Sequence, residues 1–267
     1  MVSEMNSGKI MSKVYLVGAG PGAPDLLTLR AARLLAQADI VFYDALVHAD
    51  TIALATKAKK VAVGKRCGQL STDQRFINRM LVEAAAKYQT VVRLKGGDPM
   101  LFGRAMEEID ALEHAHIAYE VVPGITAALA ASAELKISLT ERGLARSVTF
   151  ATPRIGADEK ENHWMHDASS SDTTVLYMGV GKSAEIVDAL IAQGRLEDTP
   201  VVVVENASLP TMRKFVTTLQ GLRDASSWGI TGPAIVMLGE VYRRAAIQET
   251  VDDIQGIASF NQQQILR

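Results

Sequence analysis

Three turns of glycine and proline carry the residue types from which a small-molecule site is built: Gly18-Ala19-Gly20-Pro21-Gly22, Gly96-Gly97-Asp98-Pro99 and Pro123-Gly124. Each stands at the end of a run that reads as a strand, Val14–Val17, Val91-Val92-Arg93-Leu94 and Val121–Val122. Glycine at the end of a strand permits positive φ and close backbone approach, so three such turns together point to a ligand held largely by main-chain groups, although any one alone equally suits an ordinary βα turn. On spacing alone Gly18, Gly20 and Ala23 fit G-x-G-x-x-A, and Asp44 closes the next apolar run, Ile40–Tyr43, as in a dinucleotide loop. Pro21 opposes that reading. It has no N–H to offer where a pyrophosphate is cradled by amides at a helix N-terminus.

Charged residues cluster beside these turns. Arg104, Glu107 and Glu108 fall within one helical turn after Gly103 and are expected to share a face, where an arginine with a carboxylate could bind and deprotonate a polar substrate. The same spacing also suits a surface pair worth only ~0.3–0.5 kcal/mol. Gly64-Lys65-Arg66 follows Val61–Val63, and Arg142 and Arg146 precede the run Val148–Ala151. Guanidinium groups match carboxylates bidentately, so these are candidate clamps for a polyanion, although each taken singly also suits a solvated loop. His114-x-His116 and His163-x-x-His166 lack a partnering Cys or carboxylate pattern, so no metal is expected. There is no G-x-S-x-G and no P-loop lysine. The single cysteine, Cys67, excludes an internal disulfide framework and fits a reducing compartment.

The elements that must position these residues alternate. Val14–Val17, Ile40–Tyr43, Lys60–Val63, Thr90–Leu94 and Tyr119–Val122 read as strands, with helical patterns between them. Leu27, Ala31, Leu34, Leu35 and Ala38 make the clearest helical face, with Asp25 expected as its N-cap. After Pro123-Gly124, the best candidate hinge, a small-residue helix from Thr126 to Leu135 leads to strands at Val148–Ala151, Thr174–Met178, Val201–Glu205 and Ala234–Leu238. The expected fold is α/β: two α/β domains, residues 13–124 and 125–242, the first with a mostly parallel sheet. A ligand cleft is expected between them, and residues 1–12 and 243–267 are terminal tails.

Bulk properties narrow the partners. The 267 residues are 48% hydrophobic with a formal net charge of -2, which describes an ordinary globule with no footprint of nucleic-acid binding. No apolar stretch approaches the roughly 18 residues needed to span a bilayer, and no signal pattern opens the chain, so a cytoplasmic protein with neither membrane nor nucleic-acid partner is expected.

In combination and in order, these motifs resemble the tetrapyrrole methylases. The resemblance rests on Val14 through Gly22, Tyr43-Asp44-Ala45-Leu46-Val47, Gly64-Lys65-Arg66, Arg93 through Pro99, Val121 through Ala128 and Leu139-Thr140-Glu141-Arg142-Gly143. It runs from about Lys13 to Val241, and the Gly-Lys-Arg and Leu-Thr-Glu-Arg-Gly stretches favour the branch acting on uroporphyrinogen III. The resemblance implies S-adenosylmethionine as methyl donor, contacted by Pro21, Gly96, Gly97, Asp98, Leu101, Thr126, Ala127, Met178 and Ala207, with no metal. It implies two methyl transfers, from uroporphyrinogen III through precorrin-1 to precorrin-2, on the way to siroheme, cobalamin or haem d1. It further implies Asp44 as proton acceptor and Lys65 as proton donor, with Glu107 a third catalytic candidate. Arg66, Arg104, Arg142 and Arg146 become candidates for substrate carboxylates, and a homodimer is expected. Base and clamp roles stay open among these residues at this level.

Some residues depart from the family pattern. Thr152-Pro153-Arg154 stands where Thr-Gly-His is usual, Ala105-Met106 where glycines are common, and Ala207 where glycine is frequent. Three other readings compete: a methylase of a later precorrin, a nicotinamide-dependent oxidoreductase and a non-catalytic effector-binding module.

Overall fold

The computed structural model describes residues 12–64, 73–154, 164–245 and 247. They form two compact units that divide between Thr126 and Ala127.

The first unit is built on a five-stranded sheet in the order β3-β2-β4-β1-β5. Its strands are β1 (Lys13–Gly18), β2 (Ile40–Tyr43), β3 (Lys59–Ala62), β4 (Thr90–Lys95) and β5 (Ala118–Val122). Every neighbouring pair is parallel, so all five carboxyl ends lie along one edge. The inner strands of a parallel sheet are covered on both faces, which explains why β1, β2 and β4 are rich in buried apolar residues while the edge strands β3 and β5 are less so. On one face Val14, Leu16, Phe42 and Val91 pack against α3 (Gln74–Ala85) and α4 (Ala105–His114) through Ile77, Leu81, Ile109 and Leu112. On the other, Val17, Val41, Val92 and Leu94 pack against Ala31 and Leu35 of α1 (Leu29–Gln37). The short α2 (Ala49–Ala53) lies between β2 and β3 in the chain.

The start of α1 departs from expectation. Pro24–Leu26 forms a single 3-10 turn, and the helix begins only at Leu29, where the Thr28 hydroxyl accepts from the Ala31 amide at 3.1 Å. Asp25 is therefore not the cap. Pro24 fixes a local turn before the helix can propagate, and Thr28 supplies the oxygen that an N-cap requires.

The second unit carries α5 (Ala127–Leu135), α6 (Trp164–Ser170), α7 (Ser183–Ala192) and a mixed sheet in the order β6-β7-β10-β8-β9. Here β6 (Val148–Ala151) runs parallel to β7 (Thr173–Tyr177). The strands β8 (Pro200–Glu205), β9 (Arg213–Thr218) and β10 (Ala234–Leu238) join through antiparallel pairings. Its core gathers Leu176, Ile186, Leu190, Val201, Val203, Leu219, Leu222, Val236 and Leu238. Among the described residues no helix is long and apolar enough to cross a membrane.

Candidate functional site

The three glycine turns of the first unit touch one another through their backbones. Gly20 and Gly97 exchange both main-chain hydrogen bonds, Gly20 N–H to Gly97 O at 3.2 Å and Gly97 N–H to Gly20 O at 2.7 Å. A Cβ on Gly18 would stand 2.6 Å from the Gly124 Cα, and one on Gly124 would collide with the Gly97 carbonyl. No side chain fits there, which is why glycine occupies these positions. Asp98 closes the arrangement. Its Oδ2 accepts from the Gly124 amide at 2.9 Å and its Oδ1 from the Met100 amide at 2.8 Å. The result is a rim of main-chain groups at the carboxyl edge of β1, β4 and β5, where open α/β sheets bind ligands.

This geometry also removes the dinucleotide reading. The turn Gly18 to Gly22 runs into extended chain and the 3-10 turn before α1, so no helix N-terminus stands behind it to receive a pyrophosphate. Asp44, which would hold a ribose in that reading, is engaged elsewhere.

Asp44 sits at the end of β2 with its side chain 28% exposed, and its Oδ1 accepts from Arg93 Nη2 at 2.6 Å. Arg93 comes from the middle of the central strand β4 and is almost wholly buried. Its Nε donates to Glu108 Oε1 at 2.9 Å, and its Nη1 to the Leu94 carbonyl at 3.2 Å. Glu108, fully buried on α4, also accepts from Lys95 Nζ at 3.0 Å on each oxygen and from Gln74 Nε2 of α3 at 3.1 Å. Strand alternation places Arg93 and Lys95 on the same face of β4 as Val91, beneath α3 and α4. Burial would lower the Arg93 pKa, but Asp44 and Glu108 more than offset it and hold the guanidinium charged. At Lys95 burial, with Arg93 adding to it, outweighs Glu108 and Asp44, and the ammonium pKa lies below its ordinary value.

The sequence reading assigns no site role to Arg93 or Lys95, and it places Glu108 with Arg104 and Glu107 rather than with these two. The available signal was two cations at i and i+2 inside an otherwise apolar strand, since a central parallel strand is covered on both faces and its charges must find partners. The expectation that Arg104, Glu107 and Glu108 share a face is corrected. Consecutive helical residues point about 100° apart, so Glu108 enters the core while Glu107 stays at the surface, bound bidentately by Arg104 at 2.6 and 2.8 Å. Arg104 itself takes left-handed backbone, with φ 55°, immediately before α4.

Of the other residues singled out, Pro21, Gly96, Gly97, Asp98 and Leu101 lie on or beside the glycine rim and are partly exposed, and Thr126 is buried at the end of the first unit. A Cβ on Gly97 would lie 3.9 Å from the Thr126 Cα. Gly64 packs against the backbone of Asp44 and Ala45. Lys65, Arg66 and Cys67 lie outside the described residues, as does His163. In the second unit Arg142 and Arg146 are exposed, with the Arg146 amide held by Asp172 Oδ2 at 2.8 Å. Ala127 opens α5, whose Ala128 amide donates to the Tyr177 hydroxyl at 3.3 Å.

Met178, 47% exposed, and Asn206, the neighbour of buried Ala207, both hold left-handed backbone at φ 57° and 52°. Such conformations cost energy for residues with a side chain and concentrate at functional sites. A groove of about 490 Å³ along α5 and β6, lined in part by Leu129, Lys136, Leu139 and Phe150, contains none of the sequence-derived site residues. Among the described residues no group of three His, Cys, Asp or Glu could hold a metal ion.

Residues 13–223 match the family described as Tetrapyrrole (Corrin/Porphyrin) Methylases, and the chain belongs to that family. It is 47% identical over 232 residues to a uroporphyrinogen-III C-methyltransferase of Pseudomonas aeruginosa, covering 86% of this chain and 94% of the relative. It is 43% identical to a siroheme synthase of a Psychrobacter species over 87% of this chain, and spans 48% of that longer protein. Among solved structures, the Thermus thermophilus uroporphyrin-III C-methyl transferase complexed with S-adenyl homocysteine superposes with a TM-score of 0.76 at 39% identity, covering 87% of this chain and 99% of that one.

Proposed function

We propose that this protein is an S-adenosylmethionine-dependent methyltransferase that methylates uroporphyrinogen III twice, through precorrin-1 to precorrin-2. The observation that carries the proposal is the joining of a backbone rim at the sheet edge with an ion-paired carboxylate, Asp44, at the same edge. The 47% identity to a uroporphyrinogen-III C-methyltransferase supports the substrate, against 31% to a cobalt precorrin-4 methyltransferase.

The residues present fit the methyl donor. The rim offers main-chain groups and no bulky side chain where Gly18, Gly97 and Gly124 meet, and Pro21, Gly96, Gly97, Asp98, Leu101 and Thr126 are the proposed contacts in the first unit. Ala127, Met178 and Ala207 are those of the second. When bound, S-adenosylmethionine supplies a methyl group on a sulfonium centre, an electrophile that needs no metal. The protein's largest lever on such a transfer is orientation, because a fixed approach replaces a rare encounter in solution.

Positive charge develops on the pyrrole as its carbon is alkylated, and a carboxylate nearby both stabilises that charge and accepts the proton released afterwards. Asp44 is assigned that role. Arg93 holds one of its oxygens, which orients the other. Lys65 is assigned as donor, and Glu107 is retained as a proton-transfer candidate beside Arg104. Arg66, Arg104, Arg142 and Arg146 are assigned to the substrate's carboxylates, a use that explains local arginines on a chain of net charge -2. A homodimer in the cytoplasm completes the proposal.

The test is incubation with enzymatically made uroporphyrinogen III and S-adenosylmethionine, with products read by mass spectrometry. Doubly methylated product is expected. Reaction only with a later precorrin would move the protein to another branch of the family, and binding of NAD in place of S-adenosylmethionine would overturn the assignment.

A further inference from the structure

The buried ion network is costly for a protein that needs only stability. Glu108, Arg93 and Lys95 lie in a layer otherwise made of Phe42, Val91, Ile77, Ile109 and Leu112. Replacing such a network by apolar side chains of similar volume is often neutral or stabilising, so its presence calls for another reason. The network also has a direction. It starts at Gln74 on α3, passes through Glu108 on α4 and Arg93 on β4, and emerges at Asp44, its one partly exposed carboxylate among the described residues.

We infer that Glu108 is a positioning residue for methylation: it anchors Arg93 so that one guanidinium nitrogen fixes Asp44 Oδ1 and leaves Oδ2 to take the proton. The inference rests on the reading of Asp44 as proton acceptor. A guanidinium is a rigid planar fork. With Nε on Glu108, Nη1 on the Leu94 carbonyl and Nη2 on Asp44, no rotation of Arg93 is free. Lys95 balances the second charge of the network, which leaves Arg93 matched to Asp44.

The charged groups facing this path are Asp44 beyond β2, Arg93 and Lys95 on β4, and Glu108 on α4, with Arg104 preceding α4; Gln74 of α3 is neutral. Without the Glu108 charge, Arg93 would turn wholly to Asp44. Its second oxygen would then be engaged as well and less free to take the proton.

The experiment compares the full-length protein with Glu108→Gln, in wild-type and Asp44→Asn backgrounds. In the wild-type background, kcat for uroporphyrinogen III is expected to fall about ten- to hundredfold, with KM and S-adenosylmethionine affinity nearly unchanged. In the Asp44→Asn background the same change is expected to cost less than about twofold, because the residue through which Glu108 acts is already gone. Independently of turnover, a structure of ligand-free Glu108→Gln is expected to show the Arg93 guanidinium drawn away from residue 108 and towards Asp44.

Equal losses in both backgrounds, or an Arg93 side chain unmoved in the variant, would overturn the inference. Absence of methylation by the wild type would instead sink the functional reading, and the inference with it. Should Glu108→Gln fail to fold, the charge-balanced pair Glu108→Gln with Lys95→Met is expected to fold and show the same kcat loss. Unfolding of both variants would make Glu108 a residue of stability alone.

Discussion

Asp98 donates nothing and receives twice: one carboxylate oxygen takes the Gly124 amide, the other the Met100 amide, so a single side chain joins the turn after β4 to the turn after β5. Its position beside Gly97, itself bonded to Gly20, makes it the side-chain fastening of a rim that is otherwise backbone.

Asp98→Ala leaves both amides without their acceptor. The expected loss of stability is about 1–3 kcal/mol, measured by urea unfolding. S-adenosylmethionine affinity, measured by calorimetry, is expected to fall by about tenfold or more, since disorder of the rim reduces the binding-competent fraction. Unchanged affinity would show that the rim is not part of the cofactor site.

Glycine substitutions should separate close approach from mere flexibility. Gly124→Ala and Gly18→Ala place a Cβ against neighbouring backbone that has no side-chain freedom to yield. Each is expected to cost about 1–3 kcal/mol and to weaken cofactor binding. Gly181→Ala has nothing within 4 Å of the new Cβ and is expected to stay within about 0.5 kcal/mol of wild type.

Glu107 and Arg104 form an exposed pair, with side chains 47% and 55% accessible. Glu107→Gln is therefore expected to change stability by less than about 0.5 kcal/mol. If Glu107 moves a proton, turnover will fall far more than substrate binding weakens; equal losses would make it a positioning residue for Arg104.

Glu205 supplies a pH signature in the second unit. Burial pushes its carboxyl up, but the Gly232 and Thr231 amides and the Arg213 guanidinium more than offset this, and its pKa lies below the usual value. A folded-state pKa below the unfolded one means that the stabilisation is complete above about pH 4.3 and is lost as pH falls through the folded value. Glu205→Gln is expected to lower stability at pH 7 by about 1–3 kcal/mol and to flatten its fall towards pH 3 in urea titrations. A parallel acid fall in the variant would assign the sensitivity to other carboxylates.

Much of the fold was legible because most of its strands are short runs rich in apolar, β-branched and aromatic residues. Ile40–Tyr43, Val148–Ala151 and Ala234–Leu238 are strands with the bounds read from the sequence. The strand β9 was not seen, because Arg-Lys-Phe-Val-Thr-Thr at a sheet edge meets solvent on its charged residues and lacks that apolar signature. The glycine turns were legible as a site, since only backbone constraint explains their composition. The route from Glu108 to Asp44 was not: a helix carboxylate and a strand arginine 15 residues apart reveal their pairing only once the sheet and α4 are packed.

The backbone contact among Gly18, Gly97 and Gly124 also limits how this protein can diversify. Segments separated by some hundred residues of chain share one small volume: a side chain gained at Gly18 or Gly124 meets the other's backbone and the Gly97 carbonyl, while one at Gly97 would have to be carried at a φ of 66°. New substrate preferences are more easily acquired at Leu46, Met100 and Met106, exposed apolar side chains near the same turns. A mutational library directed there would retain the rim while varying its surroundings.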